Sequence, residues 1–413
     1  MARLRGIFRR RCSAPHAQRM ACVLLVITIL SITSCMQHSG GPPQIPLELP
    51  GQFSISGNST IGALWWVELK DPLLTPLIEQ ALTDNFSLLV ARDRLTEAMA
   101  SARQAGALLS PKVEGRANGA ATKNLNTGSS TDTLLLELAA SYEIDLWGRL
   151  AAARDAAVLD TQATEADLHT AATSIAAEVA QTWYAIVETT LQLQLVQQQK
   201  ETNDHVLELT TVQFRAGQAG VADVLQQRQL VESNRAELTG LRRKLKLYEH
   251  QLSLLLGKVP GSYKFSRDPE LPVLPPLPDT GLPAELLTRR PDIRSSFYRL
   301  QAADKRVAAA IANTLPKLSI SGEINTSGGR ASDLFNNWLT SLVANLAGPI
   351  ADGGYLQAEV EKRQAVLGQH LNQYAQTTLQ AISEVEDALI QEKAQGEILA
   401  NLNIRLDLAA QTL

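Results

Sequence analysis

Between Arg149 and Phe214 the chain runs for about 65 residues without a proline, and its strong break signals come only afterwards, in Arg215-Ala216-Gly217-Gln218-Ala219-Gly220. At 1.5 Å per residue, a continuous helix of that length extends about 100 Å, roughly three times the diameter of a small domain. A compact fold has no use for such an element. Within the run, Ile175, Val179, Thr182, Ile186, Thr189, Leu193 and Val196 alternate steps of four and three. Past the glycines, Val224, Val231, Leu238, Leu245 and Leu252 repeat every seven residues, with Leu241, Tyr248 and Leu255 in companion positions. This predicts two antiparallel coiled-coil helices reversing at a turn that holds Gly217 and Gly220.

Ahead of the long run the pattern changes to a period of two. Leu136, Leu138, Ala140, Tyr142 and Ile144 share one face, and Glu137, Ala139, Ser141, Glu143 and Asp145 the other. Val113, Gly115, Ala117 and Gly119 alternate with Glu114, Arg116 and Asn118, and Thr122 to Thr133 reads as a long hairpin loop. Leu318, Ile320, Gly322 and Ile324 alternate with Ser319, Ser321, Glu323 and Asn325, and Trp338 to Ile350 supplies a fourth strand. Turns between strands and helices are expected at Pro111, Gly148, Pro316, Gly353 and Gly354. Helical signals also run from Asp71-Pro72 to about Leu109 as one element. A soluble edge strand alternates in the same way as a strand of about 9 to 11 residues that crosses a bilayer. Four strands are too few for a barrel, which needs about eight. If they face hydrocarbon, several chains must combine, because an open edge there leaves backbone groups unpaired.

The start of the chain resembles an export signal. Six arginines (Arg3, Arg5, Arg9, Arg10, Arg11, Arg19) precede an uncharged apolar run from Met20 to Ile32, which is short for a membrane span. The run ends in Ile32-Thr33-Ser34-Cys35, similar to the lipobox of bacterial lipoproteins, so cleavage before Cys35 and acylation of Cys35 are expected. Met36 follows where inner-membrane retention uses aspartate, which implies sorting to the outer membrane. Removing residues 1–34 takes away six of the 38 basic residues and none of the 42 acidic ones, a balance that argues against a nucleic-acid partner. Of the three cysteines only Cys35 survives cleavage, which excludes a disulfide framework.

The pattern then restarts. Asn85-Phe86-Ser87-Leu88 corresponds to Arg290-Pro291-Asp292-Ile293, Gly148-Arg149-Leu150 to Gly354-Tyr355-Leu356, and Glu178-Val179 to Glu384-Val385, all at offsets of 205 or 206. An internal duplication accounts for this. The expected organisation is a signal peptide at 1–34, a lipid-anchored tether at 35–70, a first repeat at 71–257, a proline-rich linker at 258–281 and a second repeat at 282–413. The tip segment would recur near position 420, so the second repeat is expected to be incomplete by about 50 residues, giving a truncated product that assembles poorly or leaks.

No catalytic constellation is visible. Histidines at 16, 38, 169, 205, 250 and 370 have no metal spacing, and Gly217 to Gly220 lacks the strand and the Gly-Lys-Ser/Thr of a phosphate loop. Glu384, Glu386 and Asp387 read as a solvated or helix-packing face.

Trp65-Trp66, IDLWGR (144–149), FRAGQAGVADVL (214–225), LTRRPDIR (287–294), LPKLSISG (315–322) and SEVEDAL (383–389) together resemble the TolC-like outer-membrane factors, in the lipoprotein branch serving resistance-nodulation-division efflux pumps. The resemblance implies a mainly α fold with a small transmembrane β part. Long helical hairpins form an α-barrel, and four strands per chain contribute to a 12-stranded barrel shared by a homotrimer. It further implies an efflux duct with a periplasmic adaptor (membrane fusion protein) and an inner-membrane pump as partners. No enzyme activity is expected, and no cofactor beyond the lipid on Cys35. The family's entrance is closed by charged and hydrogen-bonding rings, and Arg405 and Asp407 are the residues near that depth. The residues themselves also admit a lipid-anchored periplasmic coiled-coil structural or adaptor protein, or a protein-secretion duct.

Overall fold

The computed structural model describes residues 47–59, 62, 64–262 and 271–411. A 3-10 turn at Trp65–Leu69 leads to α1 (Leu74–Asp84) and α2 (Phe86–Ala107). Strands β1 (Lys112–Lys123) and β2 (Ser130–Ile144) follow, then α3 (Arg149–Arg215) and α4 (Val221–Leu255). After the proline-rich segment come a short α5 (Leu286–Arg289) and α6 (Pro291–Ala312). The described chain closes with β3 (Lys317–Gly328), β4 (Trp338–Ala347) and α7 (Tyr355–Gln411).

α3 is one continuous helix of 67 residues. Its many threonines are compatible with that length because their hydroxyls bond back to carbonyls four residues earlier, as Thr164, Thr170, Thr189 and Thr211 do. α3 and α4 form an antiparallel pair. Val231, Leu238, Leu245 and Leu252 are buried against it on one side, and Ile175, Val179, Thr182, Ile186, Thr189 and Val196 on the other. Towards the turn the seam becomes polar. Asn203 donates to the buried Asn234 at 2.9 Å, and Gln227 donates to Asn203 at 3.2 Å. A buried amide pair of this kind fixes register at a cost in stability.

The main core lies where α1 and Trp66 pack on the middle of α3 and the end of α4, around Leu74, Ile78, Trp183 and Leu252. Asp71 organises its edge. One carboxylate oxygen accepts from the Leu73 and Leu74 amides at 2.9 and 3.1 Å, and the other accepts from the Trp183 indole at 2.8 Å. α1 therefore starts at Leu74, two residues later than Pro72 suggested. Beside it the Tyr184 hydroxyl is enclosed next to Asp71, and burial first, with the Asp71 charge second, pushes its pKa up to about 12.

Three sequence expectations shift. The helix expected from Asp71 to Leu109 is two helices, broken at Asn85, where the backbone is extended (φ −66°, ψ 122°); its side-chain Oδ1 accepts from the Ser87 and Leu88 amides to cap α2, while its Nδ2 donates to Leu255 O. The hairpin loop is shorter than Thr122 to Thr133, because Asn124 closes a tight turn by accepting from the Asn126 and Thr127 amides. β4 stops at Ala347 rather than Ile350, since Pro349 has no N–H to give the ladder.

Candidate functional site

All four strands form one antiparallel sheet in the order β1-β2-β3-β4. Residues paired across antiparallel strands project to the same side, so the register assigns every side chain a face. Leu138 pairs with Gly115 and Ile324, Tyr142 with Ile320, Gly322 with Leu342, and Thr326 with Trp338. Stepping by two along each strand, this face carries Val113, Leu136, Ile144, Leu318 and Leu346, and its two charges, Lys123 and Asp132, sit at the β1–β2 hairpin end. The other face carries Lys112, Glu114, Arg116, Glu137, Glu143, Lys317, Glu323 and Asn325, with Leu339 and Val343 of β4 as apolar members. Among the described residues the apolar face is largely uncovered, with Leu138, Trp338, Leu342 and Leu346 all more than half exposed. β1 and β4 each have one strand neighbour among the described residues, leaving two open edges.

Short joints connect this sheet to the helices. Gly148 (φ +70°) precedes α3, and Gly353 (φ +65°) and Gly354 (φ +86°) precede α7, in the left-handed region that favours glycine. An aspartate caps each start. Asp145 accepts from the Leu150 and Ala151 amides at 3.1 and 2.8 Å, and Asp352 from the Leu356 and Gly354 amides at 2.9 and 3.0 Å. Those amide donors, Leu356 first, hold the Asp352 carboxyl below the usual range. Arg149 bonds Glu143 at 2.7 Å across the first joint. Pro111 and Pro316 immediately precede β1 and β3, and the Pro316 carbonyl accepts from the Trp147 indole at 2.7 Å.

At the far end of the hairpin, Gly217 takes φ +76° and Gln218 N reaches back to Gln213 O at 2.8 Å, the six-to-one closure of a helix C-terminus. Gly220 has no left-handed backbone. It precedes α4, with its N–H bonded to Asp223 at 2.9 Å. Leu209, Val212, Phe214, Val221 and Leu225 stand exposed around this turn. Arg405 and Asp407 are exposed on α7, and Cys35 lies outside the described residues.

Several contacts escaped the sequence reading. Asp160 pairs with Arg306, and Asp167 with Arg299 and with Ser295 Oγ at 2.6 Å, tying α3 to α6. Both acids and both arginines are seven apart, a matched spacing that could have signalled the contact. His370 on α7 faces this seam, and burial first, then Arg306 and Arg299, lowers its pKa although Asp160 opposes them. Arg290 bridges Asp292 and Glu384, both at 2.7 Å.

The profile of the outer membrane efflux protein family matches residues 77–258 and 282–413. The chain is 31% identical over 336 residues to the pyoverdine export outer membrane protein OpmQ of Pseudomonas aeruginosa, covering 79% of this chain and 71% of that one. It is 28% identical to the cation efflux system protein CusC of Escherichia coli, over 94% of this chain and 87% of CusC. Among solved structures, the outer-membrane channel OprN superposes with a TM-score of 0.82 at 26% identity, over 88% of this chain and 84% of that one. A match in both halves, relatives aligned along most of their length and a shared fold lead to one conclusion: the chain belongs to the outer membrane efflux protein family and is an outer-membrane channel component of an efflux system.

Proposed function

We propose that three copies of this chain close a single 12-stranded barrel and continue it as an α-helical duct through which an inner-membrane pump and a periplasmic adaptor expel solutes. The observation that carries the reading is the sheet register. Four strands agree on one apolar face, charged only at the β1–β2 hairpin end, and leave two open edges, the arrangement expected of a sheet that closes only with copies of itself in lipid. The polar face then lines a wet lumen. The protein acts as a passive conduit whose substrates are set by its pump.

An internal duplication is favoured by the separate family matches in the two halves, and by the breaks at Asn85 and Arg290 and the caps at Asp145 and Asp352 recurring at equivalent places. In this reading the repeats occupy 71–257 and 282–413, separated by the linker at 258–281. The signal at 1–34 is removed, Cys35 carries lipid and no other cofactor, and residues 35–70 tether the anchor. Gly217 and Gly220 form the periplasmic tip, and Arg405 and Asp407 lie towards the entrance.

Two measurements on the full chain test this. Native mass spectrometry of the detergent-extracted protein gives a mass of three copies. Expression with a cognate adaptor and pump, in cells lacking their own channel, raises antibiotic tolerance. A monomeric mass and unchanged susceptibility would refute the proposal.

A further inference from the structure

Where α3, α6 and α7 meet beside the strands, they border an open cleft of about 400 Å³ lined by Arg149, Arg306, Arg363, Asn313 and Glu359, with five alanines completing the lining. α6 packs against both α3 and α7, so the three helices form the wall and floor of one concave surface. Its side is fixed by Arg149. That guanidinium bonds Glu143, which shares the polar face of the sheet with Glu137 and Glu323. The Arg149 end of the cleft therefore lies on the side assigned to the lumen.

The three guanidiniums are held in place but not used up. Arg149 spends Nε and Nη2 on one oxygen of Glu143, Arg363 bonds Glu359 through Nε at 2.7 Å, and Arg306 bonds Asp160 through Nη2. A guanidinium has five N–H donors, so each keeps donors to spare. Their side chains are 25, 37 and 37% exposed for Arg149, Arg306 and Arg363, partly drained of water yet reachable. Glu359, the one acid in the lining, is already shared by Arg363 and Lys362. The alanines leave apolar space beside the donors, and the volume lies near the lower end of small-molecule sites.

We infer that this cleft is a transit subsite in the duct wall for anionic solutes that carry an apolar body. The inference rests on the duct reading above. The anion takes the spare guanidinium donors and the apolar body lies on the alanines. Carboxylates paired with each arginine keep the attraction small, which suits a conduit, since a site that held its solute tightly would stop flow.

The test uses the purified full chain in planar bilayers, with naphthalene-2-sulfonate as probe and naphthyl-trimethylammonium as a cation of the same body. The sulfonate is expected to interrupt the current at about millimolar concentration, and the ammonium is not. Replacing two arginines together (Arg306→Gln with Arg363→Gln) should raise the half-blocking concentration about tenfold or more while open-channel current persists. If that variant does not assemble, Ala309→Leu fills the cleft without removing a charge and should weaken block in the same direction. Equal block by the cation, block unaltered in Ala309→Leu, or current that the sulfonate never interrupts would overturn the inference. A wild-type protein carrying no current at all would instead overturn the duct reading, and the subsite with it.

Discussion

Arg116 of β1 and Glu137 of β2 stand opposite each other and meet at 3.5 Å on the polar face, while their neighbours Gly115 and Leu138 pair on the apolar one. In the proposed barrel a single residue step thus separates a lumen environment from a lipid one. Arginine at Leu138 should cost about 2–4 kcal/mol if that site lies near the bilayer midplane. Glu137→Gln should leave assembly intact and change ion selectivity. Unfolding of the liposome-inserted protein checks the first, and reversal potentials check the second.

Asp71 holds two elements that are far apart in sequence. Asp71→Ala removes the cap of α1 and strands the Trp183 indole, and is expected to cost about 2–4 kcal/mol. Asp71→Asn keeps an acceptor and should cost less. Denaturant unfolding followed by tryptophan fluorescence distinguishes the two.

The long-range origin of that contact explains what could be read in advance. The heptads through Leu238, Leu245 and Leu252 and the alternation around Leu138 were legible because periodicity is local and the solvent on each face dictates it. The break at Asn85 was not. Phe86 to Ala107 continues a helical pattern, and what interrupts it is a bond to Leu255 O and the approach of Gly257, where a Cβ would come within 2.5 Å of Asp84 O. Both are tertiary. For the candidate site, the joints at Gly148 and Gly354 could be anticipated from turn chemistry. The convergence of Arg149, Arg306 and Arg363 required knowing that α6 packs between α3 and α7.

Acid should loosen the seam that Arg290 makes. Burial acts to raise the Asp292 carboxyl, but the hydrogen bond and charge of Arg290 outweigh it and hold it below its ordinary value. The unfolded chain therefore takes up this proton first as pH falls. The stabilisation is complete above the usual aspartate range, about pH 4, and is lost as pH drops through the lower folded value. Asp292→Asn should flatten the acid limb of stability, measured by circular dichroism between about pH 5 and pH 2. An unchanged limb would show that Arg290 contributes nothing there.

Lipid attachment concerns a residue outside the described structure. Cys35→Ser is expected to abolish acylation and signal cleavage, leaving a precursor heavier by the retained signal. Intact-mass spectrometry checks this, and an unmodified mature N-terminus at another residue would remove the claim.

In the proposed assembly an open four-stranded sheet becomes a wet channel only by closing with copies of itself. Single-channel recording tests it most directly, with oligomeric and monomeric fractions of the same preparation applied separately to planar bilayers. Uniform conductance steps are expected from the oligomer and none from the monomer. Equal activity in the two fractions, or a silent oligomer, would contradict it.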